Sequence, residues 1–231
     1  MNFHIMTLFP ELVDTVLSES IIGRGREAGA ISVKLYNIRD YANNKHNKVD
    51  DTPYGGGMGM LMAAPPICDC HDAVCKNIPA DSKKHTVYMS PKGKILDHKA
   101  AVRLSEYDDL IILCGHYEGV DERAIEEVVD EQISIGDYIL TGGELPACIL
   151  VDCVARLIPG VLAVSVCYED ESIASGILED PQYTRPYEYW GRKVPDILLS
   201  GHHENIAKWR RQQALKITQE IRPELLKPDT D

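Results

Sequence analysis

The stretch DLIILCG, residues 109–115, carries five apolar residues in a row between an aspartate and a glycine. A run this short, closed by turn residues, reads as a strand buried on both faces, as in a parallel sheet covered by helices. HTVYMS, residues 85–90, is a second such run, and FHIMTLF, residues 3–9, opens the chain as a third strand. Pro10 then suits the first turn of a helix. ISVKLYNI alternates, as a strand should, and ends before a polar loop. After DLIILCG, Asp121 can cap ERAIEEVVDE, where Ile125, Val128 and Val129 share a face. ISIGDYILTGG reads as a strand leaving into a glycine turn, and ELPACILVDCVARLI as a largely apolar helix stopped by Pro159-Gly160. Strands alternating with helices predict an α/β fold with a parallel sheet.

The chain has 231 residues, enough for one large domain or one with a small companion. No basic, apolar leader opens it and no apolar run would span a membrane, so a cytoplasmic protein without a membrane partner is expected. Its seven cysteines are odd in number and scattered, which fits a reduced compartment. Cys68, Cys70, His71 and Cys75 cluster in CDCHDAVC, but no second ligand pair follows at zinc spacing. A short helix with partly buried thiols is the plainer reading, and no metal ligand is assigned.

The net charge of −12 argues against nonspecific nucleic-acid binding. The charge is uneven, however. Residues 206–227 carry six Lys or Arg against two Glu, and KLYNIRDYANNKHNK, residues 34–48, is also basic. A basic face on an acidic body suits a selective polyanion binder, although a solvated helix face has the same composition. The acidic stretch 165–183 is poor in pattern and reads as a linker. Beyond it, GHHENIAKWRRQQALKITQEI is an amphipathic helix, with Ile206, Trp209, Gln213 or Ala214, and Ile217 near one stripe. From about residue 180 the chain is too short for a large core, so it forms a small helical domain or a docking arm.

VDDTPYGGGMGMLM, residues 49–62, places paired carboxylates beside four glycines without helical period. It lacks the Lys-Ser/Thr of a phosphate loop, and Met60 stands where a dinucleotide fingerprint needs its third glycine. Three more loops, SPKG, GHYEG and YILTGGELP, follow predicted strands, where open parallel sheets hold ligands. Each alone is compatible with a plain turn; together they could clamp an adenosine-like ligand through backbone groups.

VDDTPYGGGMGMLM, CGHYEGVDER, SIGDYILTGGELPA, RLIPGVL, DPQYTRP and VPDILLSGHHENIAKWRRQQAL occur in that order. Together they resemble the bacterial tRNA (guanine-N1)-methyltransferases that act at position 37, beside the anticodon. These belong to the knotted SPOUT methyltransferase class. The resemblance covers nearly the whole chain. It implies a parallel-sheet domain with a deep trefoil knot over residues 1–164, an interdomain linker at 165–179, and a C-terminal helical tRNA-binding domain at 180–231. It further implies a homodimer with the active site at the subunit interface, S-adenosylmethionine as methyl donor, tRNA as partner, and Mg2+ as an optional aid. General rules of chain topology would have led away from a knot.

Methylating N1 of guanine requires removal of the N1 proton and a cation to hold negative charge on O6, so a carboxylate and an arginine are the natural pair. By resemblance Arg156 is the cation; from the sequence alone it could as well pair with Asp152, four residues earlier. The family's base is an aspartate in the linker. Here the linker reads YEDESI: ungapped alignment puts Glu171 at that position, and Asp170 lies one residue before it. Both stand as candidates. The resemblance assigns the donor to Gly115 and to Ile135, Gly136, Asp137, Tyr138, Ile139 and Leu140. Tyr88, Ser90, Pro91, Tyr117, Glu118, Gly119, Gly142, Gly143 and Pro146 are their expected neighbours. It assigns the substrate to Asp50, Gly57 and Gly59 in the glycine segment and to Lys208, Arg210 and Arg211 in the C-terminal helix. Met58 stands where proline is usual in the family, and His116 where arginine is frequent.

Overall fold

The computed structural model describes residues 1–162 and 176–226. The chain forms two compact units, Met1–Val164 and Ser165–Asp231. In the first, five strands make one sheet: β1 (Asn2–Thr7), β2 (Ser32–Asn37), β5 (Lys84–Ile95), β6 (Asp109–Cys114) and β7 (Glu131–Ser134). All pair in parallel, in the order β2-β1-β6-β5-β7. A two-stranded ribbon joins β3 (Asp50–Asp51) to β4 (Leu61–Met62).

Helices cover both faces. On one side lie α1 (Pro10–Leu17) and α6 (Glu144–Ala155), whose Val13, Leu17, Ala147, Leu150, Val151 and Val154 pack with Phe3, Ile5, Leu110 and Ile112. On the other lie α3 (Ala64–Lys76) and α5 (Glu122–Val128), whose Ile67, Cys70, Val74 and Ile125 pack with Met6, Ile111 and Leu113. Successive residues of β6 thus serve opposite cores, and this is why its sequence is an unbroken apolar run. The remaining helices are α2 (Ser20–Glu27) and α4 (His98–Leu104). Pro10 opens α1, and the Asp121 carboxylate caps α5 by accepting from the Arg123 amide at 3.0 Å. No helix among the described residues is long and apolar enough to cross a membrane.

Two strand expectations need correction. The strand expected over ISIGDYILTGG ends at Ser134. There the Ser134 hydroxyl both donates to the Gly136 carbonyl at 3.0 Å and accepts from the Gly136 amide at 3.2 Å. This local turn replaces the ladder and leaves residues 135–143 as a loop. Conversely, SPKG is not a plain loop. β5 runs through it as a bulge, with Met89 and Lys94 both paired to Ile133. Pro91 cannot donate to a ladder, and a Cβ on Gly93 would lie 2.4 Å from the Gln132 carbonyl, so the bulge needs both residue types.

The second unit holds a hairpin of β8 (Glu188–Tyr189) and β9 (Arg192–Lys193) and the long helix α7 (His203–Ile221). Ala214 and Thr218 are buried, with Ile206, Trp209, Gln213 and Ile217 half-buried beside them. This is the stripe anticipated from the sequence, extended by one threonine. The Thr218 hydroxyl donates to the Ala214 carbonyl and accepts from the Leu178 amide, both within 2.8 Å.

Candidate active site

Parallel pairing brings the carboxyl ends of β5, β6 and β7 to one edge of the sheet, and the loops that follow enclose a cleft of about 560 Å³. That volume is within the roughly 300–1,000 Å³ common for small-molecule sites. Every donor residue expected from the sequence lines it except Asp137. Leu61, Lys92, His116, Glu122 and Thr141 line it as well and were not anticipated as site residues. Lys92 and His116 lie inside the loops SPKG and GHYEG, so the sequence carried a signal for both. Glu122 is the residue after the Asp121 cap, a position that reads as helix start rather than site.

Glycines give the cleft its shape. A Cβ on Gly143 would stand 2.8 Å from the Cys114 Cα, and one on Gly115 would stand 2.8 Å from the Tyr88 hydroxyl oxygen. The Gly143 amide donates to the Gly115 carbonyl at 2.8 Å and ties the two loops together. Behind them the Cys114 thiol is pushed far up by burial and by the Glu144 carboxylate, so it is no nucleophile. Burial, with Glu122 nearby, also raises the Tyr88 phenol and keeps it a hydrogen-bond donor. The His116 Nδ1 is buried with no hydrogen-bond partner among the described residues.

The glycine segment reaches the same cleft. Gly55, Gly56, Gly57 and Gly59 all have positive φ, from 82° to 132°. At Gly59 close approach adds to the need, since a Cβ there would sit 2.4 Å from the Glu118 Cγ. The Glu118 amide donates to the Met60 carbonyl at 3.0 Å, and the Met62 amide to the Gly119 carbonyl at 2.9 Å. Asp50 pairs with Met62 in the ribbon, while Asp51 accepts from Lys48 and from the Thr52 amide. The Thr52 and Lys48 contacts hold the Asp51 carboxyl below its ordinary range. Tyr54 and Met58 stand 99% and 93% exposed on this segment.

The other expected residues lie elsewhere. Arg156 ends α6, its amide donating to the Asp152 carbonyl at 3.3 Å. It lines a separate groove with Val16, Ile149 and Asp152 and does not line the cleft of its own chain. Asp170 and Glu171 lie outside the described residues, as does most of the expected linker. On α7, Lys208 reaches Glu204 at 2.8 Å and Arg210 lies 3.8 Å from Asp180; Arg211 is exposed. On α3, the Cys75 thiol meets the His71 ring at 3.7 Å, and no cluster of three or more metal-type ligands occurs among the described residues.

The family model for tRNA (guanine-1)-methyltransferase TrmD matches residues 1–228. The chain belongs to this family. A tRNA (guanine-N(1)-)-methyltransferase of Ruminiclostridium cellulolyticum is 56% identical over 225 residues, covering 97% of this chain and 96% of the relative. One from Clostridioides difficile is 51% identical with both chains fully covered, and one from Geobacter sulfurreducens is 50% identical over 98% of this chain and 91% of its own. The family is one of enzymes, and a methyltransferase family implies S-adenosylmethionine as donor. The cleft suits such a ligand. Leu61, Val120, Leu140 and Pro146 offer apolar walls, the Gly115 and Gly143 backbones leave space that any Cβ would fill, and Glu118 and Glu122 offer negative charge to a sulfonium.

Proposed function

We propose that this protein transfers a methyl group from S-adenosylmethionine to N1 of the guanine at position 37 of tRNA, as a cytoplasmic homodimer. The observation that carries the reading is family membership over residues 1–228, in a chain whose cleft is walled by the loop residues that the family assigns to the donor. The donor supplies an electrophilic methyl group. The protein's own part is to bind, orient and move one proton. Glu118 and the loops 115–119 and 135–143 hold the donor. The glycine segment, with Asp50, Gly57 and Gly59, meets the target nucleotide. A linker carboxylate, Asp170 or Glu171, takes the N1 proton, and the Arg156 guanidinium holds the charge that develops on O6.

The place of Arg156 supports the dimer reading. α1 and α6 expose Leu12, Val16, Leu145 and Ile149, each more than 40% accessible, on one face. Arg156 lines the groove on that face, with Val16, Leu145 and Ile149. A contiguous apolar face of this kind suits a stable protein contact. A two-fold pairing through it brings Arg156 of one protomer to the cleft of its partner. The knot class of the fold and the tRNA-binding role of the second unit belong to the same reading, the latter supported by Lys208, Arg210 and Arg211 on α7.

Subunit complementation tests it. Arg156→Ala and Gly143→Ala homodimers are each expected to be nearly inactive, the first with donor binding intact and the second without it. Mixed dimers then contain one site with both lesions and one with neither. Recovery of activity on mixing supports a shared site. No recovery, with exchange of subunits verified, contradicts it.

A further inference from the structure

The turn between β8 and β9 is Trp190-Gly191, with φ of 50° and 73°. Positive φ at both positions is the type I′ arrangement, whose first position favours asparagine, aspartate or glycine. A tryptophan there is a bulky side chain on a strained, left-handed backbone. The packing of the unit does not explain it, because Trp190 is 87% exposed. Its ring lies on that of Tyr189, with centroids 4.7 Å apart and planes 19° from parallel. Tyr189 is itself 59% exposed. The hairpin therefore ends in a flat, two-ring aromatic surface. Exposed Arg192 stands opposite Tyr189 in the ladder, and Lys193 follows it, 3.7 Å from Glu188.

We propose that the Tyr189–Trp190 pair is a stacking platform for an unpaired RNA base. This rests on the tRNA methyltransferase reading and deepens it, since the natural occupant is a base splayed from the loop that holds the target guanine. Unpaired bases are bound by stacking on aromatic faces, with cationic side chains alongside for the phosphates. A duplex would not serve, because its base faces are already covered. A protein partner fits less well. Glu188, Arg192 and Lys193 place charge beside the rings, where a dry protein contact would have to bury it.

Two substitutions separate stacking from folding. Trp190→Asn places a residue that the turn prefers, and Trp190→Phe keeps a ring. Binding of an unmodified tRNA transcript is measured by filter retention, alongside methyl transfer, donor titration calorimetry and sedimentation. Trp190→Asn is expected to weaken RNA binding roughly 5- to 150-fold, the scale of one lost base–aromatic stack. Donor affinity should be unchanged, and Trp190→Phe should stay within about threefold of the parent. A Trp190→Asn protein that binds RNA like a fully active parent overturns the platform and leaves the methyltransferase reading standing. A Trp190→Phe loss as large as that of Trp190→Asn also overturns it, as does a change in oligomeric state, which would make the pair a protein contact. A parent that neither binds nor methylates the transcript overturns both readings.

Discussion

Eight of the twelve residues of α6 are buried, while of the nineteen in α7 only Ala214 and Thr218 are. The first helix is apolar nearly all round, and its order comes from the core that it completes. The second is polar nearly all round and rests on a narrow stripe, its own backbone bonds and pairs such as Glu204–Lys208. The contrast extends to the units that hold them. In the first unit, surface is given up to a double core that sets loops at the sheet edge. In the second, exposed aromatic and basic side chains face outward. Shape is thus made in one region and contact is offered in the other, and mutations should divide along that line.

The largest effects are expected at the proposed base. Asp170→Asn and Glu171→Gln each remove a proton acceptor and keep the shape. The true base should lose roughly 10²-fold or more in turnover with donor affinity unchanged. Full activity in both variants would assign proton removal to another group, and loss in both would mean a coupled pair.

A matched pair of glycine substitutions sharpens the contrast in stability. Gly93→Ala forces a Cβ to within 2.4 Å of the Gln132 carbonyl carbon and oxygen, atoms of the backbone that cannot move aside. About 1–3 kcal/mol of destabilisation is expected, and each kcal/mol lowers Tm by roughly 2–4 °C in a chain of this size. Gly191→Ala meets open space and strains only a φ of +73°. It should cost about 1–2 kcal/mol at most and leave the first unit's melting untouched. In calorimetry, melting of the first unit lowered as much by Gly191→Ala as by Gly93→Ala would break the comparison.

A smaller effect belongs to the core's one buried ion-type pair among the described residues. His4 Nε2 lies 2.8 Å from an Asp109 oxygen, and Asp109 also accepts from Asn2 and Ser82. Burial lowers the His4 ring below its ordinary 6.5, against the opposing hydrogen bond and charge of Asp109. Burial would raise Asp109, but the bonds from Ser82, His4 and Asn2 outweigh it and hold the carboxyl below 3.8. Both folded values are depressed, so both contributions are complete above the unfolded values and are lost as pH falls. Urea midpoints should therefore drop from pH 7.5 to 5.5, through His4 and through His71, whose ring burial also lowers. A His4→Gln variant should show a shallower drop. The Asp109 contribution should persist until the pH passes below 3.8.

The smallest effect on folding is expected on α7. Arg211→Ala should change stability by less than about 0.5 kcal/mol while lowering tRNA affinity and reducing the salt slope of binding by about one. A stability loss without a binding loss would move α7 into the class of α6.

Much of this contrast was legible in the sequence. Unbroken apolar runs named the buried strands β5 and β6, and the periodicity at Ile206, Trp209, Ala214 and Ile217 named the stripe of α7. The cleft was legible through glycine, because its loops sit where strands end. Other parts were hidden for physical reasons. The turn at Ser134 and Gly136 depends on one hydroxyl and looks like strand in the residues around it. The bulge at Gly93 depends on a neighbour 39 residues away in the chain, at Gln132. The helices α2 and α4 are only eight and seven residues long, too short for a helical period to repeat more than about twice. The place of Arg156, on an apolar face away from its own cleft, follows from the packing of α6 and from no local pattern.

The most direct test of the central claim is methyl transfer itself. Purified protein, labelled S-adenosylmethionine and an unmodified tRNA transcript with guanine at position 37 are incubated, and the product nucleoside and its position are identified by mass spectrometry. The account predicts one methyl group per tRNA, at N1 of that guanine, and no transfer when position 37 is changed to adenine. Absence of transfer, or methylation at another atom or another position, would contradict it.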